Sequence, residues 1–265
     1  EPNCPAAHIN VTDDDPDGFS DLRHAFTMFA ESEKKSDPRK AGRFNQGEKL
    51  FLAICAWAEI ASTKGTIKFQ PDGTRHKSQK RTKAGSSVTA VMKMTRAELQ
   101  ETFEALDKII PPVGITTTIN GKEIPHRKPI ITFVASLKTE ISDEEGNLKP
   151  TLRKTEVQII ETLPNEVASI YELGIPVVET GDKYHVNILQ KVPLNMDRDN
   201  VTPAFLQQVR TVVFNHTYKL LDDDDATDDW VNKATSDEKC EDEAFEKSQR
   251  QLRPGPFWQP DPGKW

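Results

Sequence analysis

The sequence predicts an α+β protein built as two successive domains, and three observations lead there. Stretches with helical apolar spacing and stretches of alternating β-branched residues follow one another without a regular strand–helix repeat. They fall into two groups, and the texture changes at about Pro129, where long alternating runs begin. After Leu221 an acidic and then proline-rich composition takes over. The expected units are therefore 1–128, 129–221 and a tail over 222–265.

Taken in order, "HINVT" reads as a strand that runs into the aspartate-rich turn "DDDPDG". "FSDLRHAFTMFAES" carries Leu22, Ala25, Phe26 and Phe29 at helical spacing. A polar, glycine-bearing loop follows, and "EKLFLAICAWAEI" reads as a buried apolar helix. "EIASTKGTIKF" and "SSVTAVMKM" read as strands on either side of the basic stretch Arg75–Lys83. "TRAELQETFEALDKII" has a helix-start signature, Thr95 with Glu98 three residues on, and a proline pair at its end. "GITTTINGKEI" contains an Asn-Gly hairpin turn. "PIITFVASLKTEI" and "TLRKTEVQIIET" alternate as strands, "GIPVVETGDKYHVNILQ" adds two shorter ones, and "TPAFLQQVRTVVFNHTYKLL" is a long amphipathic helix. The tail is expected to hold little order beyond one short helix.

Composition narrows the function classes. The 265 residues carry a net charge of −7, with 35% hydrophobic and 29% charged residues. That balance argues against wholesale nucleic-acid binding through a basic surface. Cys4, Cys55 and Cys240 are odd in number and far apart, so neither a disulfide framework nor a Cys-x-x-Cys metal site is visible. No apolar run approaches the roughly 20 residues that span a bilayer. Three glycosylation sequons lack a signal peptide beside them, and a reducing, cytoplasmic setting is expected. The chain opens with Glu1 and enters a strand almost at once, as expected of the remainder of a longer protein.

Candidate chemistry lies in three short boxes. In "DDPDG", Asp14 follows a strand and Gly18 closes the turn. In "GRFNQGEK", Gly42, Phe44, Asn45, Gly47 and Lys49 open a helix, where free backbone amides and the helix dipole suit phosphate oxygens. "KGT" ends at Thr66. This order resembles the Bergerat ATP-binding fold of the GHKL group, which includes the DNA gyrase B subunit, the heat-shock chaperone of ninety kilodaltons, histidine kinases and MutL. It is most similar to ATP-binding proteins of bacteria and their phages. The resemblance implies an α/β sandwich followed by a smaller transducer-like domain. It gives Asp14 the adenine amino group, Gly18 a close approach to the base and Thr66 a place beneath the adenine. The glycine box would cradle phosphates under a lid over about 31–47. Pro16 and Asn45 stand where the family has glycines. A Walker A loop is excluded, since Glu48 separates Gly47 from Lys49 and Leu50 replaces the hydroxyl.

"PLNMDRDN" resembles the chaperone's middle-domain loop, whose arginine reaches the terminal phosphate. Arg198 takes that place as the candidate catalytic residue, with Asn195 bracing the loop. The implied cofactors are ATP and magnesium, the magnesium ligand lying on a Glu-x-x-x-Asn helix upstream of these residues. The implied activity is ATP-driven conformational switching, with hydrolysis in the full-length protein. Partners in that reading are ATP, a homodimer mate and a protein client, with no membrane. Two other classes remain open: a non-catalytic nucleotide-binding or interaction module, and a DNA-processing ATPase contacting nucleic acid through Arg75–Lys83. Plainer readings also stand: the aspartates as a solvated turn, Arg198 as a surface ion-pair residue, His24, His126 and His185 as structural, and Asp222–Asp225 as a solvated helix end.

Overall fold

A computed structural model describes residues 5–19, 21–27, 37–40, 47–142, 148–195 and 200–252. The protein is mixed α+β, and its chain forms two compact units: Glu1–Ile109 with Ser142–Asn147, and Ile110–Ile141 with Leu148–Trp265.

The first unit holds β1 (Ala6–Thr12), β2 (Cys55–Ser62), β3 (Gly65–Phe69), β4 (Arg75–Ser78) and β5 (Ser86–Lys93). They form one sheet in the order β1-β5-β2-β3-β4, antiparallel throughout. Cross-strand partners share a face, so the register sorts the side chains. Ile60 pairs with Ile67 and with Val88, and Phe19, Leu22, Phe26 and Leu52 pack against that row. Residues one step along point to the other face, which is polar. There Lys68 pairs with Glu59 at 3.0 Å and Asn10 donates to the Thr89 hydroxyl at 2.8 Å.

Two helical expectations change here. The apolar run after Glu48 is a helix only over α1 (Gly47–Ile54), and continues as β2. Two ladders claim β2, β3 on one side and β5 on the other, and they outweigh the local helical spacing. A bulge between Cys55 and Trp57 marks the conversion. Leu50 and Ile54 are exposed as a result. The run from Phe19 forms one 3-10 turn over Leu22–Ala25, started by the Asp21 carboxylate accepting from the Arg23 amide at 2.8 Å; residues 28–36 lie outside the described ones. By contrast, α2 (Arg96–Asp107) begins as expected. The Thr95 hydroxyl accepts from the Glu98 amide and Glu98 accepts from the Thr95 amide, at 3.2 and 2.7 Å.

The second unit contains the Asn120-Gly121 hairpin of β6 (Thr118–Ile119) and β7 (Lys122–Glu123). Its main sheet comprises β8 (Ile131–Ser142), β9 (Leu148–Glu161), β10 (Ser169–Glu172), β11 (Ile175–Glu179) and β12 (Tyr184–Ile188), in the order β11-β10-β12-β9-β8. Only β10 and β12 run parallel among the paired strands with described register. Across this sheet lies α3 (Pro203–Thr217), whose Phe205, Val209, Val213 and Phe214 pack with Ile170, Val186 and Ile188. The expected boundary at 128 falls inside this unit. Ile110 is buried with Ile160 and Tyr171, and its amide donates to the Gly174 carbonyl at 2.9 Å, which draws residues 110–128 into the second core.

The tail departs most from expectation. Residues 222–252 form a 3-10 turn, α4 (Asp229–Thr235) and α5 (Asp242–Leu252). Trp230, Val231, Ala234 and Ala244 are buried in the same core as α3, with the Trp230 ring edge-on to Phe214. A few apolar residues at helical spacing override the acidic composition around them.

Leu173 and Gly174 form the two-residue turn between β10 and β11, both at positive φ, 53° and 82°. A Cβ on Gly174 would stand 2.1 Å from the Ile110 carbonyl oxygen. Gly174→Ala therefore meets both an unfavourable backbone conformation and a backbone atom that cannot rotate away. We expect it to cost upward of about 2 kcal/mol, in the range of severe packing defects, read from urea unfolding. A loss below about 0.5 kcal/mol would show that the Ile110 segment yields.

Candidate functional site

The turn after β1 is built mostly by its own carboxylates. Asp13 Oδ1 accepts from the Asp15 amide and from the Ser86 amide, both at 3.1 Å. Asp15 Oδ1 accepts from the Asp17 amide at 3.0 Å, and the Asp15 carbonyl accepts from the amides of Gly18 and Gly85. Thr63, in the β2–β3 turn, donates its hydroxyl to the Asp17 carbonyl at 2.7 Å. Three loops from distant parts of the chain are thereby tied together at one end of the sheet. Asp14 takes no part in this network: its carboxylate is exposed and has no hydrogen bond or ion pair among the described residues.

Gly18 adopts φ +58°, and a Cβ there would meet the Gly85 carbonyl, the Thr63 hydroxyl and the Ser86 hydroxyl at 3.1–3.3 Å. Its missing side chain thus lets the turn close on its own neighbours. Gly85 is tighter still, since its Cβ would come within 1.9 Å of the Asp13 carbonyl oxygen. Ser86 pairs with Ser62, and both lie on the sheet face of Ile60 and Ile67. Thr63, Gly85 and Ser86 were not among the residues singled out from the sequence.

Thr66 sits elsewhere. It pairs with Ala61, one step from the Ile60–Ile67 pair, and so points to the opposite, polar face. There it is buried, donating to the Lys80 carbonyl at 2.7 Å. Gly47 and Lys49 lie in the first turn of α1. Gly42, Phe44 and Asn45 fall outside the described residues, as does most of the expected lid over 31–47. Arg198 also lies outside them. Its loop is closed at the base by a bridge between Leu194 and Val201, and Asn195 accepts from the Asn200 amide at 3.3 Å. Among the described residues no three His, Cys, Asp or Glu side chains converge as metal ligands.

A second polar cluster, in the second unit, is architectural. His185 is buried, its Nδ1 accepts from the Ser169 amide at 3.1 Å, and its Nε2 is thereby left to donate to Glu166 at 3.0 Å. Arg127 clamps the same carboxylate at 2.9 Å and the Glu161 carbonyl besides. Burial pushes the Glu166 carboxyl up, yet the Leu163 amide, His185 and Arg127 together hold it down at about 2. Burial lowers the His185 pKa, against the pull of Glu166. The cluster staples the β9–β10 connection to the sheet.

Two predictions follow from these networks. Because Asp13 holds two amides and Asp14 none, Asp13→Ala should cost about 1–3 kcal/mol of stability, while Asp14→Ala stays within about 0.5 kcal/mol. Equal losses in thermal or urea unfolding would refute that division. The second concerns acid. Glu166 contributes stability above its ordinary value of 4.5 and loses it as pH falls towards about 2. His185 adds to the loss, since below about 6.5 the unfolded chain takes up a proton that the folded ring resists. Glu166→Gln should cost about 1–2 kcal/mol at neutral pH and flatten the stability curve between about 4.5 and about 2. An unchanged acid limb would place the proton uptake elsewhere.

No protein-family model matches the chain, and no curated protein is similar to it in sequence.

Proposed function

We propose that the first unit is a Bergerat-type nucleotide-binding domain that takes ATP at the aspartate turn, and that binding drives a conformational switch with hydrolysis in the intact protein. The observation that carries this reading is the division of labour in the turn. The carboxylates flanking Asp14 are consumed in shaping it, and Asp14 is held out with both oxygens available. A fixed carboxylate of that kind suits the exocyclic amino group of adenine, a donor with no counterpart on guanine's carbonyl edge. Phosphates would be met at the Gly47 end of α1, because the first amides of a helix lack intrahelical partners. Asp14 would orient the base, and α1 would stabilise the charge of the phosphates. Magnesium, when bound, would neutralise phosphate charge, and its ligands are expected from residues outside those described. Thr66, facing the other side of the sheet, has no part in this version of the site; Thr63 and Ser86 take the place beneath the turn.

A second reading, a nucleotide-binding module without turnover, is favoured by Pro16 and Asn45 standing where the resemblance expects glycines. Magnesium-dependent release of phosphate from ATP separates the two.

Titration calorimetry tests the shared claim. ATP should bind, GTP should bind more weakly, and Asp14→Asn should lose about 1–3 kcal/mol of affinity, roughly 5- to 150-fold. Because Asp14 lies outside the turn's own hydrogen bonds, the variant should keep the wild-type melting temperature. Unchanged affinity in the Asp14→Asn protein would remove the adenine role.

A further inference from the structure

The β4 edge of the first sheet carries a concentration of positive charge that no ion pair neutralises among the described residues. β4 is the last strand of its sheet, and all four of its residues, Arg75 to Ser78, are exposed. Arg75 and Lys77 alternate onto one side, where both lie over the Phe26 ring, at 4.4 and 5.4 Å from its centroid. Lys80, Arg81 and Lys83 follow in the loop to β5. That loop is pinned: the Thr82 amide donates to the Ser62 carbonyl at 3.1 Å, the Thr82 hydroxyl to the Gly85 carbonyl at 2.7 Å, and Thr66 to the Lys80 carbonyl. None of these five cations has a carboxylate partner among the described residues. Of the acids near this edge, Glu59 pairs with Lys68 and Asp72 is held in its own turn with Thr74, while the aspartate turn meets the loop only at its Gly85 end.

We propose that this edge binds the phosphate backbone of nucleic acid without reading its sequence. From Arg75 to Gly85 the chain has no acidic and no large apolar side chain. Arg, Lys, His, Ser, Gln and Thr follow one another, the residue types that contact phosphate oxygens. Insertion into a membrane surface would call for apolar side chains between the cations, and this edge has none. Alternate residues along a strand stand about 6.6 Å apart, so Arg75 and Lys77 address successive positions on an extended polyanion. The loop after β4 continues the row in a held conformation, which reduces the ordering cost of binding. This proposal is independent of the nucleotide reading and stands or falls without it.

Fluorescence anisotropy with the full chain and a labelled oligothymidylate, at salt between about 50 and 200 mM, is the direct test. Contact with four or five of these cations predicts a slope of log affinity on log salt near −3 for a single strand. Lys80→Ala with Arg81→Ala should reduce that slope by about 1.4 in magnitude. Arg250→Glu, which changes the net charge by the same amount at an exposed cation of the second unit that pairs with Glu246, should leave it unchanged. The Lys80 and Arg81 side chains make no hydrogen bond or ion pair among the described residues, so the double variant should keep the wild-type melting temperature. Absence of binding at low salt, or a slope unaltered in the double variant, overturns the proposal. So does preferential binding to phosphatidylserine vesicles or to polyglutamate, which would assign the edge to a membrane or an acidic protein.

Discussion

The Asp13 carbonyl lies against the Cα of Gly85 with no room for a side chain between them, since a Cβ there would stand 1.9 Å from the oxygen. Most of what is distinctive in the first unit depends on that approach. It brings the end of β1 onto the start of β5, in the register that pairs Thr12 with Ser87. With Gly85 so placed, its amide and that of Gly18 both reach the Asp15 carbonyl, and the Ser86 amide reaches Asp13 Oδ1. The turn then has one conformation in which Asp13 and Asp15 face inwards and Asp14 does not. Gly85 also ends the basic loop, whose Thr82 hydroxyl bonds its carbonyl. One close backbone contact therefore holds both a free carboxylate and a row of free cations.

The second unit uses the same device for another purpose. Gly174, at positive φ, receives the backbone of Ile110 and so recruits the segment before β8 into its core. Polar groups there are satisfied in sets. Arg210 holds Asp182 through two nitrogens at 2.7 and 2.9 Å, both side chains largely buried, and Lys183 pairs with Asp225 nearby. Pairs of this kind rarely add much net stability, because desolvation offsets the attraction. Their effect is positional: Arg210 ties α3 to the β11–β12 turn, and Lys183 ties that turn to the start of the tail. Removing one member would leave a buried charge alone, so the arrangement is held more firmly than its net energy suggests.

What the sequence disclosed follows the range of the interactions. The Thr95–Glu98 capping box and the Asn120-Gly121 hairpin are local, and both were legible. The run after Glu48 was not, because apolar residues at nearly every position fit a buried helix as well as a central strand, and only β3 and β5 decide between them. The tail misled through composition: its aspartates are conspicuous, whereas Trp230, Val231 and Ala234 are few and bury completely. In the candidate site, Asp14 and Gly18 were singled out by turn chemistry. The groups that hold the turn in place were not. Thr63 and Ser86 reach the turn from 46 and 73 residues away and carry no motif of their own. Thr66 was placed by its tripeptide, and strand parity put it on the polar face.

Net charge is a poor guide to what a polyanion meets at this surface. The chain carries −7 in total, which by itself argues against nucleic acid. Yet Lys64–Lys93 holds eight lysines and arginines against one acid, Asp72, so the surplus of negative charge belongs to the remainder of the sequence. At physiological salt, charges more than about 8 Å apart are largely screened from one another. An approaching phosphate therefore responds to the nearest few side chains, and at β4 these are cations with no ion-paired carboxylate among the described residues. Several cations of the second unit are paired, Arg127 with Glu166, Lys183 with Asp225, Arg210 with Asp182 and Lys233 with Asp229. The five of this edge are unpaired among the described residues and stand close together in sequence. An edge strand can also blunt unwanted pairing by carrying lysines, and Arg75 and Lys77 serve that end on their own. It does not account for Lys80, Arg81 and Lys83, which lie beyond the strand in a loop the fold takes care to hold in place. Those three side chains are what a purely protective role leaves unexplained.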